Sequence, residues 1–330
     1  MTNVLLAAAA PHAPLRAFPT PSISLEQAAV IVNPSKFSAR HLDRFTSEVD
    51  AAFVSLGWLA PLWLHTTAAT KGAVEARTAL SAGVDVVFVA GGDGTVRTVA
   101  QELAGTGTPV ALLPMGTGNL LARNLGIPRG DLTAAVQLAC TGTDLAIDVG
   151  WLELDERGDR RESERFAFLV MAGAGFDAAT MAGANHTMKT RLGPAAYLVS
   201  GVRASQEEMA TITITIDGET RTAQTSRGVI VGNVGTLTMG MALMPDADPT
   251  DGRLDGVVFY QRTLLDWARV ALSVMTRSRR GTRHMPRLHG REIEVLTDSP
   301  QPVEVDGDVI GQARRVRFSV QPGALLVRCL

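Results

Sequence analysis

The 330-residue chain has little cysteine, little lysine and no long apolar run. Its two cysteines, Cys140 and Cys329, exclude a disulfide framework and a four-cysteine zinc site, and fit a reducing compartment. Of 31 basic residues only Lys36, Lys71 and Lys189 are lysines, and the formal net charge is −2, which excludes a nucleic-acid binder working through overall basic charge. No stretch reaches the ~18–20 apolar residues of a spanning helix. The apolar start Val4–Ala10 has no basic residue before it and does not read as a signal peptide. Residues 1–25, with Pro11, Pro14, Pro19 and Pro21, read as a loose tail. There is no internal repeat and no low-complexity segment. What is present is a 46% hydrophobic, 19% charged composition, enough for sizeable cores and too apolar for global disorder. At about 100–200 residues per domain the length suggests two domains.

The first half alternates strands and helices. Strands are expected at 29–33, 61–65, 84–90, 109–114 and near 145–151. Helices are expected at about 39–56, 71–82, 95–104, 118–125 and 131–140. The helix at 95–104 carries Val96, Val99, Ala100 and Leu103 at helical spacing. Strands that are apolar throughout, set between helices, imply a parallel sheet covered on both faces. The second half differs. A charge-rich connection, Leu154 to Arg165, separates strand-like 149–154 from 166–172. Thr211–Ile216 alternates with period two before the turn pair Asp217-Gly218. Val303–Val305 faces Val309-Ile310 across Asp306-Gly307, a hairpin signal. The chain therefore divides into the tail 1–25, an α/β unit 26–149 and a β-rich unit 150–330. Whether the last strands pack back on the first unit is left open.

Two strand–glycine loop–helix junctions carry the chemistry: Val89-Ala-Gly-Gly-Asp-Gly-Thr95 and Leu113-Pro-Met-Gly-Thr-Gly-Asn119. Such loops leave the carboxyl ends of parallel strands, where ligands bind. Glycines let main-chain N–H groups approach a phosphate, and the following helix end adds donors and a positive dipole. Asp93 would be repelled by phosphate unless a cation lies between, so it reads as a Mg²⁺ partner. No G-x-x-x-x-G-K-[ST] and no G-x-G-x-x-G in the first βα turn occurs, which removes P-loop and Rossmann readings.

Gly91-Gly92-Asp93-Gly94-Thr95 together with Met115-Gly-Thr-Gly-Asn119 resembles the diacylglycerol kinase catalytic family, which includes bacterial lipid kinases and sphingoid-base kinases. Asn33-Pro34, Phe176-Asp177-Ala178, Gly193–Tyr197, Pro245–Gly252 and Val305–Asp308 agree in order, so the resemblance covers about residues 28–330. It implies a parallel-sheet α/β nucleotide domain, a β-sandwich-like second domain, an active site in the cleft between them, and Mg·ATP-dependent phosphorylation of a lipid hydroxyl.

The resemblance also implies roles for individual residues. ATP would lie on Gly91, Gly92, Asp93, Gly94 and Thr95 and the following turn, Val96, Arg97 and Thr98. Many members carry Asn-Glu where this chain has Arg97-Thr98. Arg97 either offsets phosphate charge or is a solvated helix residue. Gly116, Thr117, Gly118 and Asn119 form the second loop, where hydroxyl and amide suit phosphate or ribose; the plainer alternative is helix capping. Thr66 and Thr67 compete as the contact ending the second strand, with Thr67 preferred. Asn33 is an adenosine-side contact or an Asx turn before Pro34. The family's base is a carboxylate after Asp-Gly in a C-terminal hairpin, usually glutamate; here Asp308 holds that place, one methylene shorter, and Asp306 reads as the turn former. The hairpin would carry Asp308 across the cleft towards Asp93.

Asp246, Asp248 and Asp251 make a turn rich in hard oxygens. The resemblance implies a structural Mg²⁺ there, held by the Asp251 carboxylate and the carbonyls of Asp248 and Arg253. Thr263-Leu-Leu-Asp266 reads as a capping box before an apolar helix 264–275, followed by arginines 277, 279, 280, 283, 287 and 291. An apolar helix beside a cationic run can rest on anionic lipid, or simply be a buried helix next to a solvated loop. The expectation is a cytoplasmic, peripherally membrane-associated lipid kinase acting on diacylglycerol, with a homodimer left open and no nucleic-acid partner. Sphingoid bases, a soluble NAD-kinase-like acceptor, and nucleotide binding without efficient turnover are the alternatives.

Overall fold

The computed structural model describes residues 26–157, 163–175, 209–237, 241–260, 263–276 and 285–329. Four strands form the parallel part: β1 (Ala28–Val32), β2 (Leu62–His65), β3 (Val86–Gly91) and β4 (Val110–Pro114). Their order is β2-β1-β3-β4, and every pairing among them is parallel. β1 and β3 are buried along their whole length, as strands covered on both faces must be.

On one face lie α1 (Ala39–Ser55) and α5 (Leu132–Thr141). The Ser38 side chain caps α1 by accepting from the His41 N–H. Spacing of four then places Phe45, Val49 and Phe53 on one buried stripe. Phe53 meets Phe88 of β3 edge to face at 5.0 Å between centroids; burying one such side chain stabilises the fold by about 1.5–3 kcal/mol. On the other face lie α2 (Ala73–Ala82) and α3 (Asp93–Leu103). The chain passes from β1 through α1 to β2 on one side of β1, then through α2 to β3 on its other side, so the order reverses between β1 and β3. Ligands of open α/β sheets bind at such a reversal. Asn33 and the first glycine loop stand there.

The β-rich part contains β5 (Thr143–Asp155), β6 (Glu164–Phe168), β7 (Met171–Ala174), β8 (Ala210–Ile216), β9 (Glu219–Ser226), β10 (Gly228–Gly232), β11 (Leu254–Phe259), β12 (Arg287–Gly290), β13 (Glu292–Val305) and β14 (Asp308–Cys329). All pairings within this set are antiparallel. Its core includes Leu152, Phe168, Ile214, Val303, Val305 and Phe318. β14 is the hinge of the architecture. It pairs with β13 and β5, and near its end Val327 pairs in parallel with Val110 of β4, so the parallel and antiparallel parts share one continuous sheet.

Three sequence expectations are corrected. The segments 145–151 and 149–154 are one strand, β5, and the expected strand 166–172 is split between β6 and β7. The split has a cause: the Asp306 carboxylate accepts the N–H groups of Leu169, Val170 and Met171 at 3.0–3.1 Å, drawing the backbone out of strand geometry. Helix α3 also starts at Asp93 rather than Thr95, because Asp93 and Gly94 already form its first turn. Helix α4 is short, Leu120–Asn124, and α6 spans Leu264–Met275 with the capping box between Thr263 and Asp266 formed in both directions. No helix among the described residues is long and apolar enough to cross a membrane.

Candidate active site

The two glycine loops touch. Gly91 pairs with Pro114 at the end of the sheet, and the Met115 N–H donates to the Gly91 carbonyl at 3.0 Å. A Cβ on Gly116 would lie 2.9 Å from the Cα of Gly92, closer than real Cβ contacts come. Glycine at 116 is therefore what lets the second loop lie against the first. A Cβ on Gly92 would meet nothing nearer than 3.7 Å; its φ of −96° also suits any residue. Among the described residues nothing demands glycine at 92. The cavity beneath the loops, lined by Asp93, Val96 and Asn119 among others, holds about 10 Å³, room for one water at most. That space is too small for any larger ligand.

The polar side chains of the loops brace one another. Asn119, at φ +44°, accepts from the Gly116 N–H at 3.2 Å and donates to the Gly116 carbonyl at 2.5 Å. It closes the second loop on itself and makes no side-chain cap of α4. Asp93 takes the Leu120 N–H on Oδ1 at 2.7 Å, the start of α4. Burial pushes the Asp93 carboxyl up, opposed by the amides of Leu120, Asn119 and Leu121. Asp93 thus ties the start of α3 to the start of α4. Asn33 bonds Ser35 through Oδ1, as an Asx turn, and its Nδ2 donates to Thr95 Oγ1 at 3.3 Å. Thr95 is buried, with Cβ and Cγ2 beneath Gly91. Val96 is buried, and the Thr98 hydroxyl donates back to the Gly94 carbonyl at 2.9 Å. Thr117 is exposed. Thr66 is buried, whereas Thr67 is exposed and exchanges hydrogen bonds with Thr70.

The C-terminal hairpin reaches the first loop. Asp306 and Gly307, both at positive φ, make the turn, and Asp308 begins β14. Oδ2 of Asp308 lies 3.4 Å from where a Gly94 Cβ would be, and 2.7 Å from a terminal guanidinium nitrogen of Arg97. Two sequence readings change here. Arg97 is not a solvated helix residue: its side chain is only 10% exposed. Asp306 is more than a turn former: its carboxylate points inwards onto three amides, and burial raises it to about 6. The residue as a whole keeps some exposure, but the carboxylate is enclosed. Asp308 arrives over Gly94 and Arg97, while the Asp93 carboxylate turns towards α4.

Sequence reasoning missed two groups. Lys36 follows the Asx turn, is exposed, and carries its Cε 3.9 Å from where a Gly92 Cβ would stand. Asp148, 1% exposed, takes the N–H groups of Gly252 at 2.6 Å and Gly323 at 2.8 Å. It fixes the acidic turn to the end of the β14 bend. Only a lysine beside Asn-Pro hints at the first; the second sits inside an apolar strand with no local signal.

In that turn Asp248 accepts from Thr250 twice, and Asp251 Oδ1 accepts the Arg253 N–H at 2.9 Å. Asp246 faces Arg287 at 3.9 Å. Among the described residues no three histidine, cysteine or acidic side chains converge. A cation here would have to rest on Asp251 and main-chain oxygens. On α6, Val270 and Val274 are buried while Leu265, Arg269 and Leu272 are exposed at i, i+4, i+7 spacing, one outward face. Phe176–Ala178, Gly193–Tyr197 and arginines 277, 279, 280 and 283 lie outside the described residues.

Two family profiles match the chain. The diacylglycerol kinase catalytic domain profile matches residues 27–152, and the YegS C-terminal NAD kinase beta sandwich-like domain profile matches 170–329. A probable lipid kinase YegS-like of Pseudomonas aeruginosa is 33% identical over 265 residues, 76% of this chain and 78% of that protein. An uncharacterized Synechocystis protein is 31% identical over 69% of this chain, which spans about half, 51%, of that protein's length. The fold matches a crystal structure of a diacylglycerol kinase from Bacillus anthracis with a TM-score of 0.72 at 21% identity, covering 93% of this chain and 98% of that one.

Proposed function

The chain belongs to the diacylglycerol kinase catalytic domain family, with a YegS-type C-terminal domain, and on that premise we propose that it transfers the γ-phosphoryl group of ATP to a lipid hydroxyl, with diacylglycerol the leading acceptor and phosphatidic acid the product. Phosphoryl transfer needs a grip on the triphosphate, neutralisation of its charge, and an acceptor for the hydroxyl proton. The grip falls to the main-chain N–H groups of the loops at 91–95 and 116–118. Lys36, exposed above Gly92, adds positive charge on the same side. The observation that carries the reading is Asp308: a carboxylate from the second domain stands within contact of Gly94, where the reacting phosphate end of a loop-bound nucleotide would lie.

In this reading Asp308 accepts the lipid hydroxyl proton as the oxygen attacks the γ-phosphorus and ADP leaves. Mg²⁺ would supply charge neutralisation between the phosphates. Asp93 would meet such an ion through Oδ2, which lies on the Gly118 side of the second loop while Oδ1 takes the Leu120 N–H. A second, structural Mg²⁺ fits the acidic turn through the Asp251 Oδ2 and the carbonyls of Asp248 and Arg253, a hard-oxygen set. Asn33, Thr66 and Thr67 border the nucleoside side, and Thr67 would have to leave Thr70 to serve it. The outward Leu265–Arg269–Leu272 face of α6 is our candidate for contact with an anionic lipid surface.

Incubation with radiolabelled ATP, Mg²⁺ and a lipid extract tests the reading. Label in a solvent-extractable phospholipid supports it. Label transferred only to a soluble acceptor such as NAD, or nucleotide bound with no transfer to any lipid, overturns it.

A further inference from the structure

We propose that Arg97 is a positioning residue for Asp308: its guanidinium holds one carboxylate oxygen so that the other is presented to the acceptor hydroxyl. This rests on the reading of Asp308 as the proton acceptor. The two partners are unequal. The Arg97 side chain is 10% exposed and packed into the first turns of α3, whereas that of Asp308 is 57% exposed at the tip of a hairpin. The fixed member is the arginine. An exposed aspartate just after a two-residue turn would otherwise sample several rotamers. Contact with a planar, permanently charged guanidinium at 2.7 Å selects one of them.

Arg97 is itself one of the buried residues of α3, with Val96, Val99 and Ala100. The enclosed Asp306 carboxylate, two residues before Asp308 on the same hairpin, attracts it electrostatically. Arg97 therefore answers two carboxylates of one hairpin, and this contact crosses from the nucleotide part to the β-rich part. The arrangement also explains how a short carboxylate serves. Aspartate reaches one methylene less far than glutamate; an arginine anchor beneath it replaces reach with fixed placement. A misplacement of about 1 Å costs on the order of 100-fold in rate, so the anchor is worth that much to turnover. A phosphate-binding role for Arg97 makes a different demand, because it would appear in ATP affinity.

Steady-state kinetics on the full chain, with ATP varied at saturating lipid acceptor, separates these. The set is the parent, Arg97→Asn, Arg97→Lys, Asp308→Glu, Arg97→Asn/Asp308→Glu and Asp308→Asn. We expect Arg97→Asn to lower kcat about 10- to 100-fold with the KM for ATP within about twofold. Arg97→Lys recovers part of the loss. The double variant exceeds Arg97→Asn by about tenfold, because the longer acid needs no anchor. A rise of KM with kcat retained, an unchanged Arg97→Asn, or a double variant no better than the product of the singles overturns the proposal. Full activity in Asp308→Asn would instead overturn the base assignment itself. Thermal unfolding of Arg97→Asn, Asp308→Asn and their combination reads the pair with no acceptor present. Non-additivity of about 1–3 °C is expected, and strict additivity counts against the contact.

Discussion

Gly92→Ala separates what the fold requires from what a ligand requires. An added Cβ meets no atom nearer than 3.7 Å, the Cα of Gly116, and no positive φ opposes it. The expected change in stability is therefore within about 0.5 kcal/mol, as for a substitution clear of any strained feature. The same Cβ projects to the side where Lys36 lies and where phosphate oxygens would approach the loop amides. Losing one charge-assisted hydrogen bond there costs about 1.5–3 kcal/mol, or roughly 10- to 150-fold in Kd for ATP. Gly116→Ala is the contrast. Its Cβ would fall 2.8 Å from Asn119 Oδ1 and 2.9 Å from the Gly92 Cα. Overpacking of that kind costs about 1–3 kcal/mol and drives the loops apart, so stability and ATP binding fall together. Calorimetric titration with Mg·ATP beside thermal unfolding checks both. A Gly92→Ala protein that binds ATP as tightly as the parent would refute the argument that phosphates sit against the main chain at this loop.

Three further outcomes follow from single contacts. Asp148→Ala strands the buried N–H group of Gly252 and releases that of the exposed Gly323, at about 1–3 kcal/mol for the buried group, a loss visible in denaturant unfolding; an unchanged midpoint would contradict it. Asp306 is raised by burial from 3.8 to about 6, so between these values the folded state binds more protons than the unfolded one. Its contribution is greatest below the lower value and declines as pH rises through the upper, by up to about 3 kcal/mol. Asp306→Asn should remove that component, and parallel stability–pH curves for parent and variant would sink it. Leu265→Asp/Leu272→Asp should weaken sedimentation with vesicles rich in anionic lipid, and parental binding should fall with added salt; binding that is absent or insensitive to salt counts against that surface.

Much of the architecture was legible because it is local. Fully apolar runs such as Val86–Ala90, each closed by glycine, read as buried parallel strands, and Asp306-Gly307 between two β-rich runs read as a hairpin. The glycine loops were legible for the same reason. What escaped was set by contacts distant in sequence. Arg97 read either as a phosphate contact or as a solvated helix residue, because its partner is 211 positions away. The break between β6 and β7 has no turn signal of its own; it is imposed by Asp306, 135 to 137 positions on. Asp93 was legible as an acid in a phosphate loop, yet its bond to Leu120 depends on the two loops lying side by side, which spacing alone does not show.

The most direct trial is transfer of label from ATP to lipid by the parent and by Asp308→Asn, with ATP affinity measured in both. Removal of a general base costs about 100- to 10,000-fold in rate, so the variant should bind ATP as the parent does and label lipid at least ~100-fold more slowly. Equal labelling by the two proteins, or no lipid labelled by the parent, would contradict the account.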